Sequence, residues 1–161
     1  MSYNGGMKNV CKVLFLCSGN YYRSRFAEIV FNARAATAGL NWRAESRGLC
    51  VEQGNLVNVG PISTHALEGL RRRGIVPESA PRSPLALRAA ELEEFDLVVA
   101  LKAEEHRPML QAQFPEWAER VRYWDVHDVD LCAPEEAMAE IERLVEALIK
   151  ELQSRQGAAR G

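Results

Sequence analysis

The sequence predicts an α/β fold built around a parallel sheet, and three observations carry that expectation. Short β-rich apolar runs alternate with longer segments of helical periodicity, four times along the chain. The first run is almost continuously apolar, as a strand buried on both faces must be. The length, 161 residues, is about that of one domain. Right-handed crossovers between parallel strands then place helices on both faces of the sheet.

The elements follow in order. Residues 1–9 are polar and glycine-containing and read as a disordered lead-in. Residues 10–17 (VCKVLFLC) form the first buried strand. Residues 23–38 form a helix, with Phe26, Ile29, Val30 and Ala33 on one side and Gly39 as its stop. Residues 42–47 are a weaker strand. Residues 51–61 carry two glycines and several amides and read as a loop. Ser63 is an N-cap for a helix bearing Ala66, Leu67 and Leu70 and ending before Gly74. Residues 77–84 contain three prolines and are irregular. A short helix is expected over 85–93, a buried strand over 95–101, and a helix over 103–113 in which Pro108 is tolerated near the start or at a kink. The last strand is expected over 121–126. Pro134 opens a long helix whose stripe is Met138, Ile141, Leu144, Val145, Leu148 and Ile149. The chain thus reads as one domain over 10–154 with a flexible tail over 155–161.

Composition narrows the function. Apolar residues make up 47% and charged residues 26%, as in an ordinary globular protein. Twenty Lys and Arg against 22 Asp and Glu give a net charge of −2, so there is no basic excess for nucleic-acid binding. The longest apolar runs are far below the ~20 residues of a membrane span. The cysteines, at 11, 17, 50 and 132, show no C-x-x-C spacing and no clustering with the histidines, which argues against a zinc site or a disulfide framework. Free thiols fit a reducing cytoplasm.

Ligands of parallel α/β sheets bind at the carboxyl ends of the strands. The first strand ends in Cys17-Ser18-Gly19-Asn20-Tyr21-Tyr22-Arg23-Ser24, a C-x5-R-S pattern between a strand and a helix. Such a loop points backbone N–H groups inward at a helix N-terminus, where the dipole adds positive potential. Gly19 and Asn20 tolerate the left-handed backbone that this nest needs. A thiol at its mouth is expected to fall from about 8.5 toward roughly 3.5–7.5. Arg23 can grip two oxygens of a tetrahedral oxyanion, and Ser24 can donate a hydrogen bond to the thiolate. Arg25 lies nearly on the opposite side of the helix turn and is a poor substitute for that grip.

This stretch resembles the phosphate-binding loop of the low-molecular-weight protein tyrosine phosphatases, C-x-G-N-x-C-R-S after the first strand. The likeness covers nearly the whole chain. Glu45-Ser46-Arg47-Gly48 is similar to the family's S-A-G stretch, residues 60–75 to its next helix, and residues 94–101 to its third strand. The resemblance implies a three-layer α/β/α sandwich with a four-stranded parallel sheet in the order 2-1-3-4. It implies a phosphatase that hydrolyses phosphomonoesters, most of all protein phosphotyrosine, through a phosphocysteine. Cys17 is then the nucleophile, Arg23 the oxyanion grip, and Ser18, Gly19, Asn20, Tyr21, Tyr22, Arg23 and Ser24 the phosphate-binding loop.

Two departures matter. Tyr22 stands where eukaryotic members carry a second cysteine, so a disulfide within the loop is impossible. No proline follows any of the aspartates where the family has its Asp-Pro general acid. A related W-x-x-x-D-P pattern sets Asp128 at the acid position, with Asp125 and Asp130 as alternatives. Tyr21, Trp42 and His127, and with them Trp124, are candidates to replace the missing aromatic wall of the cleft, while Tyr21 and Tyr22 can also pack inward.

The remaining candidates read blandly. His65 and His106 are expected to be surface histidines, Arg71-Arg72-Arg73 a solvated helix end, and Cys11 a core residue. Cys50 and Cys132 would serve an arsenate-reductase relay, which is one alternative; a catalytically weak phospho-ligand binding module is another. No metal or organic cofactor is expected. The expected partners are a phosphorylated protein or a small phosphomonoester, with inorganic phosphate as product, no nucleic acid and no membrane, for a monomer or weak dimer.

Overall fold

A computed structural model describes residues 10–77, 80–128 and 133–160. The lead-in over 1–9, Asp130 and Cys132 lie outside the described residues. Strands β1 (Cys11–Cys17), β2 (Trp42–Gly48), β3 (Leu97–Ala100) and β4 (Arg122–Tyr123) form one sheet in the order β2-β1-β3-β4. Every neighbouring pair is parallel, with Cys17 beside Gly48, Leu16 beside Ala100 and Ala100 beside Tyr123. Side chains of a strand alternate between the two faces, and β1 divides its apolar run accordingly. Val13, Phe15 and Cys17 enter one core, while Leu14 and Leu16 enter the other.

The first core lies under α1 (Arg23–Ala38), α3 (Thr64–Arg72) and α6 (Pro134–Arg160). Phe15 meets Phe31 edge-on with ring centroids 6.0 Å apart, and Trp124 at 5.5 Å. Met138, Ile141, Val145 and Leu152 of α6 close this layer without exposed surface. The second core lies under α4 (Ala89–Leu92) and α5 (Ala103–Gln113), with Leu92 and Leu110 fully buried. The result is the three-layer arrangement and strand order expected from the sequence.

The third strand is trimmed from 95–101 to Leu97–Ala100, and four elements differ more. The loop over 51–61 contains a short helix, α2 (Val51–Asn55). Gly54 weakens its helical propensity, yet Gly54 lies so close to Gly19 that a Cβ there would stand 3.2 Å from the Gly19 Cα. The helix expected over 85–93 shrinks to α4, because residues 85–87 run extended beside the end of β2. Gly48 N donates to Leu85 O (2.8 Å) and Leu87 N to Gly48 O (3.0 Å). The last strand shrinks to β4, although the chain still tracks β3 beyond it through Trp124 N to Ala100 O and Val126 N to Leu101 O, both 2.8 Å. Finally, α6 runs on through Arg160, into the segment expected to be a flexible tail.

The arginines at the end of α3 are not simply solvated. Arg73 is held between Glu142 (2.8 Å) and Glu135 (2.6 Å), with its guanidinium 5.4 Å from the Phe26 ring, and Arg72 also reaches Glu135. These pairs fix α3 against α6. At the other end of α6, Glu151 takes both guanidinium nitrogens of Arg122, each at 2.9 Å.

Ile141 of α6 lies in the first core with no exposed surface. Ile141→Ala is expected to lower unfolding free energy by about 2–5 kcal/mol, read as a fall in the urea midpoint with the slope unchanged.

Candidate active site

Strand β1 ends on Cys17, which is 3% exposed, and α1 begins on Arg23. The loop between them is fastened through its carbonyls. Cys17 O accepts from Leu49 N (2.9 Å), Ser18 O from Cys50 N (2.8 Å), and Tyr21 O from Ser63 N (3.0 Å). The segments after β2 and before α3 therefore brace the loop from outside.

Asn20 is, among the described residues other than glycine, the one with a positive φ (52°), and it is fully buried. Its Nδ2 donates to Ser24 Oγ (2.9 Å) and to Ser46 Oγ (3.0 Å). Its Oδ1 accepts from Arg82 Nη1 (2.9 Å) and from Leu85 N (3.0 Å). Both donors and both lone pairs of the amide are used. Ser24 Oγ stands 2.9 Å from Cys17 Sγ. Because Ser24 already accepts from Asn20, its own hydroxyl hydrogen is left to donate to the sulfur.

The guanidinium of Arg23 is 2% exposed. Its Nη1 donates to Val126 O (3.1 Å), and its Nη2 reaches Glu105 Oε2 (2.7 Å) and Asp128 Oδ2 (3.4 Å). Burial alone would lower its pKa; the charges of Cys17, Glu105 and Asp128 outweigh that and raise it.

Glu105 is not singled out by the sequence, and His106 is read from it only as a surface histidine. Glu105 Oε2 also accepts from Ser18 Oγ and lies 3.2 Å from His106 Nε2. Burial pushes its carboxyl up, but His106, Arg23 and Ser18 together hold it far below the usual carboxylate range. His106 is not a surface histidine, because it has no exposed surface at all. Its Nδ1 accepts from Lys102 N (3.0 Å), so the ring hydrogen sits on Nε2, facing Ser18 Oγ and Glu105. Burial, with the Arg23 charge, lowers its pKa and keeps it neutral, against the pull of Glu105.

Cys17, Arg23 and Asp128 line one cavity of about 160 Å³ with Gly19, Tyr21 and Tyr22. Asn58, Ser63 and His65 complete it. Tyr21 and Tyr22 are pinned through their hydroxyls to Val59 O (2.5 Å) and Pro134 O (2.9 Å). His65, expected to be an ordinary surface side chain, stands at this cavity with its ring 6.5 Å from that of Tyr22.

Several candidates are not brought here. Trp42 opens β2 opposite Cys11, at the amino end of the sheet and far from the cavity. Trp124 is buried against Phe15. His127 packs its Nδ1 against Lys102 Nζ rather than into the cavity. The Asp125 side chain is 76% exposed and turned toward Lys102 at 3.9 Å. The Cys50 thiol, beside the Ser18 side chain, is pushed up by burial. Among the described residues, no group of three or more His, Cys, Asp or Glu could hold a metal ion, and no helix is long and apolar enough to cross a membrane.

Comparison with known proteins gives the family of the chain and its fold. The family model for low molecular weight phosphotyrosine protein phosphatase matches residues 12–158. A protein-arginine-phosphatase from Bacillus subtilis (strain 168) is 30% identical over 109 residues, covering 68% of this chain and 67% of that protein. The crystal structure of a low molecular weight protein tyrosine phosphatase from T. tengcongensis is 30% identical with a TM-score of 0.72, covering 88% of this chain and 99% of the other. That of YfkJ from Bacillus subtilis is 26% identical with a TM-score of 0.74, covering 92% and 98%.

Two outcomes follow from the packing. A Cβ on Gly48 would meet Val51 Cγ2 at 2.6 Å, Ser18 O at 2.8 Å and Asn20 Cβ at 3.0 Å. Gly48→Ala is therefore expected to cost about 1–3 kcal/mol and to weaken inorganic phosphate binding, measured by calorimetry. Acid is expected to destabilise the fold in two stages. The lowered His106 pKa means that the unfolded chain binds the proton first, so stability declines as pH falls below 6.5, the ordinary value. The Glu105 contribution is intact above 4.5 and is lost only as pH falls toward its depressed folded value. Urea titrations across pH should show both stages, and His106→Gln should remove the upper one.

Proposed function

Because this chain belongs to the low molecular weight phosphotyrosine protein phosphatase family, and so is a cysteine-based phosphatase, a hydrolase acting on phosphoric monoesters, we propose that Cys17 is its nucleophile and Asp128 its general acid. The single observation that carries this reading is the cavity shared by Cys17, Arg23 and Asp128, with Ser24 Oγ 2.9 Å from the sulfur.

The Cys17 thiolate attacks phosphorus opposite the leaving oxygen. The S–P bond forms as the P–O bond to the alcohol or phenol breaks, and Asp128 transfers its proton to the departing oxygen. The Arg23 guanidinium and the backbone N–H groups of residues 18–23 hold the three equatorial oxygens, where charge is spread in the transition state. Asp128, now a carboxylate, takes a proton from water. The resulting oxygen attacks phosphorus, the S–P bond breaks, and inorganic phosphate leaves with the Cys17 thiolate restored. These steps need no metal or organic cofactor. A thiolate nucleophile is suited to a reducing compartment, and we place the reaction in the cytoplasm on that chemistry.

For substrate, we favour protein phosphotyrosine, because Tyr21 and Tyr22 line the cavity and their hydroxyls are fixed. Phosphoarginine is the second reading. It is favoured by the 30% identity to the protein-arginine-phosphatase and by the polar side chains of Asn58, Ser63 and His65 at the cavity. An arsenate-reducing relay is less well supported, since burial raises the Cys50 thiol and makes it a poor attacking group.

Cys17→Ser is expected to abolish turnover of p-nitrophenyl phosphate while inorganic phosphate still binds; retained turnover sinks the reading. Asp128→Ala is expected to lower kcat about 10²–10⁴-fold for substrates with poor leaving groups. The same loss in Asp125→Ala instead would move the acid to that residue. A panel of phosphotyrosine, phosphoserine and phosphoarginine peptides should rank phosphotyrosine first in kcat/KM, and a phosphoarginine preference reverses the substrate assignment.

A further inference from the structure

Arg25 follows Arg23 by two positions, so the turn of α1 carries it behind the loop rather than toward the cavity. It is 3% exposed. Its Nη1 donates to Asn20 O (3.3 Å) and Pro61 O (2.9 Å), and its Nη2 to Arg82 O (2.7 Å). Arg82 arrives from the proline-rich segment before α4. Its Nη1 donates to Asn20 Oδ1 (2.9 Å), and its Nη2 to Ser46 O (3.0 Å), Ser46 Oγ (3.1 Å) and Glu28 Oε1 (3.3 Å). Two guanidiniums thus grip one residue, one by its backbone carbonyl and the other by its side-chain carbonyl.

Burial and the neighbouring Arg82 charge press Arg25 down to about 10, and burial lowers Arg82 as well. Two like charges packed together work against the fold. What they gain is control of Asn20, whose Nδ2 donates to Ser24, whose hydroxyl faces Cys17 Sγ.

We propose that Arg25 and Arg82 are positioning residues for Cys17: a two-guanidinium clamp behind the phosphate loop that fixes the left-handed backbone of Asn20 and, through Asn20 and Ser24, keeps a hydroxyl donor on the sulfur. The inference rests on the reading of Cys17 as nucleophile. The hydrogen bonds run one way. Arg82 donates to Asn20, Asn20 to Ser24, and Ser24 to the thiolate, while Ser46 sends its own hydrogen to Glu28 Oε1 (2.5 Å). Neither arginine lines the cavity that Cys17 shares with Arg23 and Asp128.

The test is the pH dependence of Cys17 alkylation by iodoacetamide, mapped to the Cys17 peptide by mass spectrometry. The charged and titratable groups around the sulfur are Arg23 on α1, Glu105 and His106 on α5, Asp128 after β4, Cys50 beside α2 and His65 on α3. Those around the clamp are Glu28 on α1 and Glu45 and Arg47 on β2. All are kept in place except as stated. Arg82→Met is expected to raise the alkylation midpoint by about one pH unit, a roughly tenfold slower reaction below the wild-type midpoint. Arg25→Met should move it in the same direction, and Arg82→Lys and Arg25→Lys should each recover part of the shift at their own position, since an ammonium keeps the charge but not the several contacts. Glu28→Gln, which removes the carboxylate that offsets the two cations, should shift the midpoint the other way. A role confined to stability lowers Tm and leaves every midpoint at the wild-type value, and that result overturns the clamp. Failure of the underlying reading shows itself separately. Wild-type Cys17 would then alkylate like a free thiol, with no protection by inorganic phosphate.

Discussion

Asn20 holds a left-handed backbone with no exposed surface, and the geometry of the site is built outward from that turn. A non-glycine residue in this conformation is strained unless its surroundings over-determine it. Here the side-chain amide spends both donors and both acceptor positions on four different groups. The turn brings Ser24 to the sulfur and directs its hydroxyl hydrogen there. Gly48 stands against the same turn with no side chain, because any Cβ would strike Ser18 O. The loop is therefore as rigid as the parallel pairing of β1 with β2, which sets Gly48 beside Cys17.

A second constraint is electrostatic. Arg23 is buried, and a lone buried guanidinium would be costly. Its charge is met by Glu105, Asp128 and the sulfur. Glu105 is in turn fixed by Ser18 and by a histidine whose tautomer is set from the other side by Lys102 N. The end of β3 and the start of α5 thus orient Arg23 without lining the cavity. The arrangement needs a neutral His106, and burial supplies it.

The sequence showed what is local and hid what is distant. The strand, the nest and the helix N-terminus are contiguous, so Cys17 through Ser24 could be read from spacing and residue type alone. Glu105 meets Arg23 across 82 positions and Arg82 meets Asn20 across 62, and no pattern in one sequence marks such pairs. His106 looked like a helical surface residue because periodicity does not report a backbone donor one turn away. Trp42 is a different kind of miss. In a parallel sheet the ligand lies at the carboxyl ends of the strands, and Trp42 begins its strand, so the rule that located the loop also excludes that tryptophan. Arg25 was discarded for facing away from phosphate, which is correct, but facing away placed it behind Asn20.

The two carboxylates on Arg23 raise the question of which one can serve as acid. A general acid must carry its proton when the leaving oxygen departs. Glu105 is bound by Ser18, His106 and Arg23, and its carboxyl is held far below the usual range, so it stays ionised. It orients and neutralises, and it has no proton to give. Asp128 lies farther from Arg23, at 3.4 Å against 2.7 Å, and its side chain is 41% exposed against 29%. An arriving phosphate dianion competes for the same guanidinium, and the longer, more exposed contact is the cheaper one to give up. In the proposed mechanism, substrate binding frees Asp128 for the leaving group while Glu105 keeps Arg23 in place. Two carboxylates on one arginine are in this way divided by how firmly each is held, and that division supports the proposal of Asp128 as the acid without appeal to the missing proline.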